Sequence, residues 1–165
     1  MSKIRVELLT AENWLRVRDL RLASLQDSPH AIGGDLGTES AQSETEWRAK
    51  FEKLHYLIAS VEGVDGAIMT IENLAGDFGA KAWIGGCWSS PKHRGVGLLR
   101  AMINYVDKHA QQMGWQRHGL GVWEDNQPAI AVYERLGFVA MGEPKPSTRV
   151  ADKFYIRMIR DAVTS

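Results

Sequence analysis

Pro91-Lys92-His93-Arg94-Gly95-Val96-Gly97-Leu98-Leu99 is the stretch on which the fold turns, because it separates two patterns of different period. Before it, residues 81–89 read as a strand. After it, Leu99, Met102, Ile103, Val106, Ala110 and Met113 recur at helical spacing, with Arg100, Asn104, Asp107, Lys108 and Gln111 on the other face. A glycine-rich turn that leads from a strand into a long amphipathic helix is a place where anions bind. The first helical turn leaves backbone N–H groups unpaired under a partial positive charge, glycines let a phosphate approach, and Arg94 adds a full charge. Taken on spacing alone, Gly95 and Gly97 are equally well explained as a tight turn. Two better-known glycine loops fit poorly. A dinucleotide fingerprint needs a third small residue where Arg100 stands, and a nucleoside-triphosphate loop needs Gly-Lys-Ser/Thr, which does not occur.

Upstream, the pattern predicts a strand at residues 4–8 and a helix over 12–25 with Thr10 as N-cap. Residues 28–43, with Pro29, Gly33, Gly34 and Gly37, read as a loop, and a second helix follows at 44–53. Runs 56–61 and 67–71 form a hairpin across 62–66. Downstream, Gly114 ends the long helix, and a strand at 117–123 precedes a helix over 128–136 that Asn126 caps and Gly137 stops. Strands at 138–141 and 153–159 close the chain. Hairpins first and strand, helix, strand later predict a mixed α/β fold: one domain over 1–165, with a central, mostly antiparallel sheet and helices on both faces.

Composition narrows the function. A 165-residue chain with 44% hydrophobic residues supports one core, and 20 basic against 20 acidic residues leave no global field for nucleic acid or anionic membrane. A patch of Lys92, Arg94, Arg100 and Arg117 is the strongest case for a nucleic-acid partner, and the neutral total and Glu124-Asp125 oppose it. No stretch approaches the roughly 18 apolar residues of a membrane span, and the first nine residues lack a secretory core, so a cytoplasmic protein is expected. Cys87 is the sole cysteine, and His30, His55, His93, His109 and His118 lack ligand spacing, so neither a disulfide nor a metal is expected.

The loop gains specificity from a second segment, Trp123-Glu124-Asp125-Asn126-Gln127-Pro128-Ala129-Ile130-Ala131-Val132-Tyr133-Glu134-Arg135-Leu136-Gly137-Phe138. Together they resemble the GCN5-related N-acetyltransferases (GNAT). That family carries Arg/Gln-x-x-Gly-x-Gly/Ala at a strand-to-helix junction and, downstream, Asn-x-x-Ala-x-x-x-Tyr-x-x-x-Gly-Phe. Here Leu99 occupies the last position of the first motif, a departure at a point of close approach. The motif core spans 81–141, and the order of elements matches from Ile4 to Arg160.

The resemblance implies transfer of an acetyl group from acetyl-CoA to a primary amine of a small molecule or peptide, by direct attack and without a metal. Arg94, Gly95, Val96, Gly97, Leu98 and Leu99 would hold the pyrophosphate, and Cys87, Trp88, Ser89 and Asn126 the pantetheine arm. The sheet would be splayed between 81–89 and 117–123, with the cofactor in the gap. Gly85 and Gly86 read independently as a bulge or a close approach. Tyr133 holds the general-acid position: a thiol of pKa ~8.5 and a tyrosine of ~10 are well matched for protonating a departing sulfur. By periodicity Tyr133 also reads as a core aromatic beside Ile130 and Leu136. The attacking amine needs a base, for which Glu124 leads over Glu72, Asp125, Glu39 and His118. Cys87 as an acyl-accepting nucleophile would need His93 to activate it. Trp83, Trp88 and Trp123 read as core aromatics or as walls of the acceptor pocket. Specificity is expected from residues 28–43, the second helix and residues 142–152. A homodimer is compatible with this reading, and a non-catalytic acyl-CoA sensor is its alternative.

Overall fold

Glu62 and Gly63, both at positive φ (51° and 80°), make a two-residue turn between β2 (His55–Val61) and β3 (Val64–Asn73). Such a turn matches the right-handed twist of its strands, so the hairpin is tighter than the 62–66 connection expected from sequence. A computed structural model describes residues 3–163 of the chain. With β1 at Ile4–Leu8, β4 at Ala82–Ser89, β5 at Arg117–Trp123, β6 at Val139–Pro146 and β7 at Phe154–Asp161, the strand order is β1-β2-β3-β4-β5-β7-β6. The chain divides into two compact units, Met1–Glu72 with Gly85–Tyr105, and Asn73–Ile84 with Val106–Ser165.

In the first unit, β1 (Ile4–Leu8) runs antiparallel to β2 from Ile4↔Val61 to Leu8↔Leu57. β2 pairs with β3 from His55↔Ile71, with a bulge at Ala59/Ser60. A 3-10 turn at Ala11–Asn13 leads into α1 (Trp14–Asp27), whose Val17, Leu20 and Leu25 are buried with Trp47, Tyr56, Ile58 and Ile68. Asn13 Oδ1 accepts from the Thr10 N–H at 3.2 Å, so Thr10 caps this turn rather than the α-helix itself. The stretch 28–43 is not all loop. It contains α2 (Leu36–Ser40), started by Asp35 Oδ2 accepting from the Thr38 N–H at 2.8 Å. Its glycines hid that cap. The second helix is α3 (Glu44–Ala49) with a 3-10 turn at Lys50–Glu52, and Ser43 and Glu46 cap it reciprocally.

β4 (Ala82–Ser89) passes from one unit to the other, as does α4 (Leu98–Met113). In the second unit, β5 (Arg117–Trp123) is parallel to β4 through Ala82↔His118 and Trp83↔Gly119. A Cβ on Gly119 would lie 2.6 Å from the Trp83 ring and 2.7 Å from Ile159. Only glycine allows that approach. α5 (Gln127–Arg135) follows, then β6 (Val139–Pro146) and β7 (Phe154–Asp161). β7 pairs antiparallel with β5 and with β6. β6 runs five residues beyond its expected end at 141, taking up the first half of the 142–152 loop. Gly142 at positive φ and a register shift between Met141 and Lys145 interrupt its alternation, which is why the sequence concealed it.

Candidate functional site

Pro91–His93 forms one 3-10 turn, after which Gly95 and Gly97 take φ of 80° and 90°. A Cβ on either would meet nothing within 4 Å, so backbone conformation rather than crowding demands glycine, and the surface beside the loop is open. Ala101 N donates to Gly97 O at 3.0 Å. The amides of Leu98 and Leu99 precede that bond and have no intrahelical acceptor. Leu98 turns inward: it is buried, and a Cβ on Gly66 would come within 2.8 Å of its Cδ1. Leu99 is half-buried. The loop thus offers backbone donors at the N-terminus of a 16-residue helix with the Leu98 side chain turned into the core, a geometry that fits a pyrophosphate.

Arg94 has a second commitment that sequence did not reveal. Its Nη2 donates to Asp27 Oδ2 at 2.8 Å and its Nε to Ser89 O at 3.0 Å. The same Asp27 oxygen accepts from Trp88 Nε1 at 3.0 Å. Bonds from Trp88, Ser28 and Arg94 hold the Asp27 carboxyl below its usual range. Two of the predicted cofactor residues, Trp88 and Arg94, are therefore tied together by the last residue of α1, and Arg94 in turn holds the backbone of a third, Ser89. In β4, Gly86 takes φ 54°, and a Cβ on Gly85 would lie 3.0 Å from Thr70 Oγ1. The strand is kinked at the glycine pair. Cys87 next to it is half-buried and in no disulfide, and His93 Nδ1 is engaged with Ser90 Oγ at 2.6 Å.

In the other unit, Asn126 Oδ1 accepts from the Ala129 N–H at 3.3 Å, the expected N-cap, and this bond leaves its Nδ2 donors unused. Tyr133 lies on α5 with its ring edge-on to Phe138, centroids 5.8 Å apart. Trp123 is half-buried beneath Lys153 and Arg149.

The five base candidates part clearly. Glu72 lies 3.8 Å from Lys53, Asp125 3.1 Å from Lys153, and Glu39 2.8 Å from Arg21. His118 is fully buried, its Nδ1 2.9 Å from Trp115 O and its Nε2 3.2 Å from Arg160 Nη1. A carbonyl only accepts and a guanidinium only donates, so the proton sits on Nδ1 and Nε2 is occupied. Burial pushes this imidazole below 6.5, against the Trp115 bond. His118 is a structural group, not a base. Glu124 is exposed, and among the described residues its carboxylate makes no hydrogen bond or ion pair.

Sequence reasoning missed a cavity of about 510 Å³ in the first unit, lined by Arg21, Glu39, Trp47, Tyr56, Thr70 and Gly86 among others. Its lining comes from α1, the 28–43 stretch, α3, β2, β3 and the β4 kink. Burial raises the Tyr56 phenol there to about 12. Residues 28–43 and the second helix, two of the segments expected from sequence to set specificity, supply much of its lining. Among the described residues no cluster of His, Cys, Asp or Glu could hold a metal ion, and no helix is long and apolar enough to cross a membrane.

A glycine loop that opens on a helix N-terminus, a kinked strand and a cavity beside that kink place an anion-binding geometry next to a second pocket lined by polar side chains. The sequence model of the acetyltransferase (GNAT) family matches residues 14–138, and the chain belongs to that family. The fold recurs in solved structures of low identity. yncA of Salmonella typhimurium, solved with its cofactor acetyl-CoA, is 14% identical with a TM-score of 0.73, over 98% of this chain and 95% of that one. A GNAT acetyltransferase of Streptococcus pneumoniae is 15% identical at 0.75, over 98% and 100%. The ribosomal-protein-S18-alanine N-acetyltransferase of Escherichia coli is 17% identical at 0.67, over 99% and 96%. This chain is an acetyl-CoA-dependent N-acetyltransferase acting on an amine.

Proposed function

We propose that Arg94, Gly95, Val96, Gly97, Leu98 and Leu99 bind the pyrophosphate of acetyl-CoA, that Cys87, Trp88, Ser89 and Asn126 take its pantetheine arm, and that Tyr133 and Glu124 serve as acid and base. The whole chain acts as one N-acetyltransferase domain, in the cytoplasm. The observation that carries this reading is the pair of positive-φ glycines leading directly into α4, with the Leu98 and Leu99 amides unpaired within the helix. Acetyl-CoA supplies an electrophilic thioester carbonyl and a thiolate leaving group. The amine nitrogen forms the new C–N bond as the C–S bond breaks. Glu124 takes a proton from the nitrogen and Tyr133 returns one to sulfur, so that amide and free thiol are the products. Support for Glu124 comes from elimination, since the other four candidates are committed to partners.

The test is thiol release from acetyl-CoA over a panel of amines, by wild type and Tyr133→Phe. The reading predicts a loss of about 10²–10⁴-fold in kcat with the acetyl-CoA Kd unchanged. Binding without turnover by wild type on every amine would instead favour an acyl-CoA sensor.

A further inference from the structure

The cavity behind α1 contains more hydrogen-bonding capacity than the protein uses. Its carboxylates are committed: Asp35 Oδ2 accepts from Thr38 N and Oγ1 at 2.8 and 2.7 Å, and the two Glu39 oxygens take Arg21 Nε and Nη2 at 2.8 and 2.9 Å. Its donors are not. Arg21 Nη2 also reaches Gly33 O, which leaves Nη1 outside all these bonds, 3.4 Å from where a Cβ on Gly86 would stand. Trp47 lines the cavity fully buried, and its indole N–H has no acceptor. Lys50 Nζ sits over the Trp47 ring, 4.9 Å from its centroid, and makes no ion pair among the described residues. Among the described residues, the buried acceptor left unpartnered at this cavity is neutral, Gln42 Oε1. Buried polar groups normally have a hydrogen-bond partner and are costly without one, so these atoms call for a partner that the protein itself does not supply.

We infer that this cavity takes the amine substrate by a carboxylate, which makes the substrate class a small amine of amino-acid type. Lys50 and the Trp47 N–H hold the carboxylate, and Arg21, fixed by Glu39, anchors it at the Gly86 end. Gln42 Oε1 receives an N–H of the substrate. A polyamine or aminoglycoside would bring several cations to a site whose carboxylates are already paired and whose unpartnered groups, Gln42 Oε1 apart, are donors. This inference rests on the proposed acetyl transfer.

The experiment measures kcat/KM by thiol release for L-amino acids, for the corresponding methyl esters and carboxamides, and for spermidine, alongside acetyl-CoA binding by calorimetry. The free acids are expected to exceed their esters and carboxamides by about 10- to 100-fold, the effect of one hydrogen bond to a charged group. Lys50→Met and Trp47→Phe, which keep bulk and ring, should each raise KM for the acid by about tenfold or more and leave the acetyl-CoA Kd unchanged. Equal or better turnover of carboxamides, esters or spermidine, or no turnover of any free acid by a protein that binds acetyl-CoA, overturns the inference and leaves the family assignment intact. Failure to bind acetyl-CoA overturns the proposed cofactor site instead.

Discussion

Removing Asp107 should cost this protein much of its stability, although Asp107 touches no proposed substrate. Its carboxylate accepts from Arg160 Nη1 at 2.7 Å, from Arg160 Nη2 at 2.8 Å and from the Val163 amide at 3.0 Å. The Arg160 side chain is 6% exposed, so Asp107→Ala strands a buried guanidinium whose remaining partners are Leu136 O and neutral His118. Breaking one half of such a pair costs about 3–5 kcal/mol, against a gain of about 0.7 kcal/mol at most from alanine in α4. For a chain of this size the Tm should fall by roughly 6–20 °C. Calorimetry or circular dichroism at pH 7 measures it. A double variant, Asp107→Leu with Arg160→Met, should lose less than the single one, because no charge is left unpaired. A single variant within about 2 °C of wild type would refute the argument.

The same cluster sets the acid limit of stability. Burial pushes the His118 imidazole below 6.5, so the unfolded chain binds the proton first and stability falls as pH drops below about 6.5. Burial raises the Asp107 carboxyl, but the Arg160 and Val163 bonds outweigh it and hold it low, so a second loss follows below about pH 4. A Tm flat from pH 7 to 5 would contradict the His118 assignment. Arg94→Ala should weaken acetyl-CoA about tenfold, with the difference shrinking in salt, as calorimetry at two ionic strengths would show. Asp27→Asn, which releases Arg94 from a competing carboxylate, should not weaken it. Gly119→Ala drives a methyl into Trp83 and Ile159 and should cost about 1–3 kcal/mol, read as a lower Tm.

What the sequence made legible was what local chemistry decides. The α4 period, the Asn126 cap, the Gly114 and Gly137 stops and β5 at 117–123 all follow from neighbours within a few residues, and all are observed. α2 was missed because one aspartate starts it amid glycines, and β6 because a shift in register breaks its alternation. The candidate site divides the same way. The glycine loop was visible as a local motif. Asp27 holding Arg94, Arg21 holding Glu39 and Arg160 holding His118 are pairs of 67, 18 and 42 residues' separation, which no periodicity carries. His118 shows the cost of that blindness, since a histidine near the motif reads as a base until its two partners are seen.

The most direct test of the cofactor site is a calorimetric titration of acetyl-CoA into wild type and Gly97→Glu. Gly97 has open space beside it, so the new carboxylate would occupy the proposed pyrophosphate position, and a thermal scan checks that the variant is folded. Saturable binding to wild type, lost in the folded variant, is the predicted result. Equal binding to both proteins would contradict the assignment of the Arg94-to-Leu99 loop.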